Sequence, residues 1–534
     1  MKRLFLLIGI CVILTTACQQ EPPDRPESVQ APPRQGGIYR AALPWSPKDL
    51  DPAFVTSDYS ATLVHQIFDG LVQFDEKLNV VPALASTWEV SPDGLTYRFI
   101  LRRNLKFHNG RQVTADDFVY SFTRLLDPTH RSPALSFFER VKGERDYREG
   151  KSKEVVGLKA LDPYTLEITL EEPFAPFLTV LAMFYSKVVP REEVERWGKD
   201  FGLHPVGTGP FRLEAWKQDR FVLQANMDYF EGRPHLDKIV YSVYPGAQRE
   251  KIVEEFLEGR LEEAALYGAL REKVASEGMY QIVRKPSLSL LFYGINCTFG
   301  PLDYRRVRQA LNWAINKKKI ISEVFKNQFI PAETILPPGM TGYTPENAAY
   351  GYDPEKAKSL LAETGYGPSK KKLSLTLLSA SKSNVAQKEL AMVAADLAAV
   401  GVDLQIKYET DWPTFEATLS SGRFQLYRYA WVADIPDPDD FLNVLSRSDS
   451  RHNYMRYSEA EVDQLLSKAQ AETDILKRVS LYRQAERIIL EDAPMIPFMY
   501  LTFESVFQPY VKGLEISALG SPYVPLKKVW LEKH

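Results

Sequence analysis

From Gly36 onward, apolar and polar positions follow two periods in turn. Stretches of period two read as short strands, and stretches of period 3.6 read as amphipathic helices. Gly37–Leu43 predicts an opening strand, turned by Asp49-Leu50-Asp51-Pro52, and Ser60–Leu71 has helix spacing. Leu95–Leu101 places Tyr97, Phe99 and Leu101 on one face of a half-buried strand. Thr114–Leu126 reads as a helix with Thr114 as N-cap and acids in its first turn. Val155–Leu170 predicts two strands around Asp162-Pro163.

The second half repeats the pattern. In Tyr304–Asn316, Val307, Ala310, Leu311, Ala314 and Ile315 form one stripe, with Arg305, Arg306, Arg308 and Gln309 on the other face. Asp353–Thr364 is a further helix with Pro354 at its first position. Lys372–Ser379, Gln387–Val400 and Val402–Tyr408 predict a βαβ unit, and Phe424–Trp431 a strand. Ser458–Glu491 predicts two helices broken near Thr473-Asp474, and Lys512–Trp530 an irregular end with short strands. Mixed elements throughout indicate lobes of α/β type.

The first 35 residues break this pattern. Lys2 and Arg3, the apolar run Leu4–Leu14, and Thr15-Thr16-Ala17 before Cys18 predict a cleaved bacterial lipoprotein signal, with Cys18 the lipidated residue. The run is too short for a spanning helix. Thr15 departs from the Leu usual at that place, and an ordinary secretory signal is the alternative. Gln19–Gln35, with five prolines and almost no large apolar residues, reads as a flexible tether. The expected location is the cell envelope, on a lipid anchor facing the periplasm or the exterior.

Beyond Cys18 the chain is too long for one core. Composition is ordinary, 45% apolar and 25% charged. Without Lys2 and Arg3 there are 64 basic and 69 acidic residues, and no basic run suggests nucleic acid as a partner. Cys297 is the one cysteine left after Cys11 and Cys18, so it reads as a buried, inert thiol.

Five phrases carry a resemblance: Leu84-Ala85-Ser86-Thr87-Trp88-Glu89-Val90-Ser91 with Asp93–Phe99; Leu101-Arg102 through Lys106–Gly110 to Thr114–Phe118; Gly207-Thr208-Gly209-Pro210-Phe211; Asp303 with Arg305–Leu311; and Ala430-Trp431-Val432-Ala433-Asp434 with Pro436-Asp437-Pro438 and Phe441-Leu442. In that order, across the whole mature chain, they resemble the bacterial extracellular solute-binding proteins of family 5, which serve peptide and nickel ABC transporters. The oligopeptide- and dipeptide-binding branch is the most similar. The resemblance implies a two-lobed periplasmic-binding-protein clamshell, type II-like, with an additional inserted domain. By analogy lobe I would combine 36–55, 186–283 and 504–534, the inserted domain 56–185, and lobe II 284–503.

It also implies a site. Asp434 matches an aspartate that pairs with a peptide's α-ammonium, although Asp-Ile-Pro-Asp-Pro can also be a plain acidic turn. Arg428 matches an arginine near the cleft, whose fork can take a peptide carboxylate or bridge acidic protein groups. It would share a strand face with Leu426 and Ala430. Trp431 and Trp412 match tryptophans lining side-chain pockets, with core packing as the alternative. Val432 and Ala433 belong to the same anchoring loop. Thr56–Asp58 matches a segment whose backbone pairs with peptide. Ala134, Leu419 and Val432 replace a Tyr, an Arg and a Cys of the oligopeptide branch, so the pocket walls are changed.

The implied function is a substrate-binding lipoprotein of an ABC importer: a monomer holding a short peptide, docking on permease subunits, with no cofactor, no metal and no catalysis. A carrier of a nickel chelate or other small molecule on the same fold is the alternative, as is a periplasmic chaperone or sensor-feeding protein. The seven histidines include no pair at metal-ligand spacing. Asp434, Asp437, Asp439 and Asp440 lack the oxygen spacing of a calcium loop and read as a solvated turn. No hydrolase motif is present, and Glu254-Glu255 and Glu262-Glu263 read as solvated faces of surface helices.

Overall fold

The computed structural model describes residues 32–533, apart from 131, 218, 246, 247, 267–270, 272, 273, 275, 277, 521 and 522. The expected lipoprotein signal, Cys18 and most of the expected tether lie outside the described residues.

The predicted alternations become four principal sheets. Strand Ile38–Leu43 runs parallel to Lys238–Val243, which continues antiparallel into Arg220–Ala225 and Phe211–Lys217. Its core is Tyr39, Ala41, Leu223, Ile239 and their neighbours. A separate antiparallel meander joins Ala85–Val90, Thr96–Leu101, Thr165–Thr169 and Leu158–Asp162. Tyr97, Phe99 and Leu101 face its core as the period-two pattern requires. The Ala115–Leu126 helix covers that core. Thr114 precedes it, and the Thr114 amide donates to the Asp117 carboxylate at 2.8 Å.

The largest sheet has six strands in the order Ile330–Pro331, Met495–Tyr500, Ser289–Ile295, Leu426–Val432, Leu373–Ser379 and Val402–Tyr408. Leu373–Ser379 is parallel to both of its neighbours, with helix Asn384–Ala399 as the crossover, so the βαβ unit forms. Helices Ala460–Ala471 and Ile475–Asp492 break where the sequence indicates, with Asp474 as the second N-cap. A three-stranded sheet, Glu263–Ala265, Thr502–Phe507 and Gln281–Pro286, adjoins the six-stranded one. The chain crosses between them twice, at Ser287–Leu288 and at Leu501. The Ser287 amide donates to the Leu501 carbonyl at 2.9 Å.

Four expectations need correction. The first helix is Asp58–Ile67, capped by the Ser57 hydroxyl, and it stops four residues short of Leu71. Its end lies under Gly207 and Gly209, where an added Cβ would meet the Ile67 backbone at 2.1 and 2.5 Å. That close approach is the physical reason for both glycines of Gly-Thr-Gly. Arg308, placed on a polar face, is buried and donates to the carbonyls of Leu302, Asp303 and Asp492. Glu262 and Glu263 are neither helical nor solvated. Glu262 is buried against the Arg40 guanidinium, and Glu263 sits in a strand accepting the Tyr39 hydroxyl at 2.8 Å. The Asp437, Asp439 and Asp440 side chains are buried rather than solvated. Arg478 donates to Asp437 at 2.5 Å, and the Tyr482 hydroxyl donates to Asp439 at 3.0 Å.

Candidate binding cleft

Strand Leu426–Val432 builds one wall. Its pleat sends Tyr427, Tyr429 and Trp431 to one face of the sheet and Arg428 and Ala430 to the other. On the first face, Trp412 opens helix Trp412–Ser421 and lies 5.8 Å from the Tyr429 ring, centroid to centroid. It remains half-exposed. Trp431 lies 5.6 Å from the His452 ring. These side chains form a partly open aromatic wall.

Arg428 is on the opposite face, as its alternation with Leu426 and Ala430 indicates. Its guanidinium donates from Nε and Nη2 to both oxygens of Glu389, each at 2.8 Å. The Tyr293 hydroxyl donates to the same carboxylate at 2.7 Å. Burial opposes the guanidinium's charge, but Glu389 outweighs it and holds the pKa above the ordinary arginine value. Of the two partners open to Arg428, the structure shows the acidic protein group. The pleat also separates Arg428 from the Trp431 wall.

After Val432 the chain turns. Asp440 fixes that turn: its Oδ2 accepts the Asp434 amide at 2.8 Å and the Trp431 indole N–H at 3.2 Å. Burial, with the Asp434 charge second, pushes the Asp440 pKa well up. The turn leaves the Asp434 carboxylate reachable from solvent, as are Val432 and, in part, Ala433. Surrounding protein nevertheless raises the Asp434 pKa by desolvation, with no cation among the described residues offsetting it. Asp58 shows the same signature at the start of its helix, raised by desolvation alone. Thr56, two residues before it, is exposed.

Two tyrosines join these segments. The Tyr523 hydroxyl lies within electrostatic reach of both Asp58 and Asp434; burial first, and then those charges, raise its pKa. Tyr185 is buried and stacks on Phe137 at 4.9 Å. Burial, then Tyr523, Asp434 and Asp440, raise its pKa. Its hydroxyl has no hydrogen-bond partner among the described residues. A buried orphan hydroxyl within electrostatic reach of a carboxylate that has no cationic partner among the described residues is an incomplete polar arrangement, which a ligand's donor would complete.

Sequence reasoning missed both tyrosines. Tyr185 follows Phe184 in an apolar stretch, and Tyr523 lies in the irregular end. For Tyr185, an aromatic residue at the expected end of the inserted domain was the one available signal. Ala134 and Leu419 prove to be core residues, so their identities do not set pocket walls directly. Cys297 is partly buried, and burial pushes its thiol to about 11, so it is an inert thiol.

Comparison with known proteins agrees with this architecture. Residues 79–453 match the family model for bacterial extracellular solute-binding proteins, family 5. Heme-binding protein A of Haemophilus influenzae is 32% identical, over 96% of this chain and 97% of its own length. The dipeptide-binding protein of Escherichia coli is 31% identical, over 89% of this chain and 91% of its own length. Among solved structures, the unliganded open form of the periplasmic murein tripeptide-binding protein MppA superposes with a TM-score of 0.83 at 29% identity, covering 94% of this chain and 98% of that one. The Helicobacter pylori protein DppA in complex with the peptide STSA gives 0.70 at 30% identity, covering 94% and 99%. The chain belongs to the bacterial extracellular solute-binding proteins, family 5.

Proposed function

We propose that this protein captures short peptides between its lobes and delivers them to an ABC permease, tethered to the membrane by lipid on Cys18. The observation that carries this reading is the Asp434 carboxylate: exposed at the turn, its pKa raised by the surrounding protein, and within electrostatic reach of the orphan Tyr185 hydroxyl. An α-ammonium supplies the missing charge and donors. Thr56–Asp58, at the exposed entry to its helix, would supply main-chain partners for the peptide, and Trp431, Trp412 and Val432–Ala433 would wall the side chains. Broad recognition follows when main-chain groups fix the peptide and apolar walls tolerate its side chains. Arg428 acts through Glu389, holding the strand that carries Trp431. The crossings at Ser287–Leu288 and Leu501 serve as the hinge between lobe II and lobe I. Closure follows from whatever extra affinity the ligand has for the closed form.

The relatives named for dipeptides, murein peptides and heme define the competing cargoes. Native mass spectrometry of the protein as purified, followed by denaturing release, separates them. Co-purified peptides, or peptides retained from an added mixture, support the reading. Retention of heme or a metal chelate with no peptide retained overturns it.

A further inference from the structure

A second cavity, of about 360 Å³, opens beside the same cleft against the hinge strand Thr502–Phe507. It is at the small end of ligand pockets, which run from about 300 Å³ upward. Trp45 and Tyr59 are among its walls, and Asp58, Glu263 and Tyr241 line it as well. Three observations bear on what it takes. The Tyr241 hydroxyl is buried and has no hydrogen-bond partner among the described residues. Glu263 beside it is a partly buried carboxyl that accepts the neutral Tyr39 hydroxyl at 2.8 Å. The third acid at the cavity, Glu504, already holds Arg271 and Arg284, and Glu262 nearby holds Arg40. Among the described residues, these nearby arginines are spent on other acids, and no cation pairs with Asp58 or Glu263.

We propose that this cavity is a subsite for a positively charged side chain of the bound peptide, a lysine ammonium or an arginine guanidinium. The stem would run between Trp45 and Tyr59, where an aromatic face attracts a cation. The head would reach Glu263 and the Tyr241 oxygen, completing both. Asp58 links the subsite to the main cleft, since its carboxylate lines the cavity while its charge also reaches Tyr523, as that of Asp434 does. One ligand can therefore place its α-ammonium at Asp434 and a basic side chain here. This inference rests on the peptide reading.

The test is calorimetric titration with trialanine and with trialanines carrying one lysine or one glutamate at each position in turn, on the natural protein, Glu263→Gln and Asp58→Asn. At one position lysine should bind at least tenfold more tightly than alanine, the gain of a charge-assisted contact, and glutamate more weakly. The lysine-to-alanine ratio should fall towards one in Glu263→Gln. Equal affinities for all peptides, or a lysine preference that survives both substitutions, overturns the subsite. A separate readout keeps the two readings distinct: agmatine, a guanidinium amine with no peptide group, should perturb Trp45 fluorescence in the natural protein and not in Glu263→Gln. If no peptide binds but agmatine does so, the cation subsite stands and the peptide reading fails. If peptides bind but neither agmatine nor lysine is favoured, the subsite fails alone.

Discussion

Removing Glu389 tests whether Arg428 holds the sheet or the ligand. The Glu389 side chain is fully buried and the Arg428 side chain 16% exposed, with two N–H···O contacts of 2.8 Å between them. Glu389→Leu leaves a guanidinium uncompensated inside lobe II and strips the Tyr293 hydroxyl of its acceptor. Breaking a buried pair from one side costs about 3–5 kcal/mol, most of it from the stranded charge. The double variant Glu389→Leu/Arg428→Leu removes both charges, so most of that loss should return. The assay is urea unfolding followed by tryptophan fluorescence, with peptide titration of each folded variant. A single-variant loss under about 1 kcal/mol, typical of an exposed pair, would refute the structural role. So would a double variant as stable as the natural protein that no longer binds peptide, because the guanidinium would then be serving the ligand.

Two further outcomes follow from the turn. The Asp434 pKa lies above its usual 3.8 in the folded protein, so its ionised form is disfavoured by folding. Its contribution to stability therefore improves as pH falls through the raised pKa, while peptide affinity falls over the same window as the charge is lost. Asp434→Asn should raise the melting temperature of the empty protein at neutral pH and remove that part of the pH dependence of binding; an unchanged or lower melting temperature counts against the desolvation argument. Asp440→Ala orphans the Asp434 amide and the Trp431 indole N–H, and each unsatisfied donor costs about 1–3 kcal/mol. Both stability and peptide affinity should drop, and a loss in neither would show that the turn holds without Asp440.

Much of the fold is legible in the sequence because it depends on near neighbours. Tyr97, Phe99 and Leu101 alternate, and the strand buries that face. The βαβ unit and the break at Asp474 follow from periodicity and capping. What escaped depends on distant partners. Arg308 looks exposed by helix spacing, yet the Asp492 carbonyl, far along the chain, accepts from its Nε and Nη2 and draws it inward. Asp437 looks solvated until Arg478, 41 residues away, is placed against it. The site divides in the same way. The family phrase around Asp434 is visible in the chain. The pleat that separates Arg428 from Trp431, and the convergence of Tyr185 and Tyr523 on Asp434, appear only in three dimensions.

The most direct test of the central claim is isothermal titration of a short peptide into the natural protein and into Asp434→Ala. Loss of a desolvated carboxylate opposite an ammonium costs about 2–5 kcal/mol, so the dissociation constant should rise by roughly thirtyfold to several-thousandfold. A folded Asp434→Ala protein that binds the peptide as tightly as the natural one would remove Asp434 from the site and contradict the account.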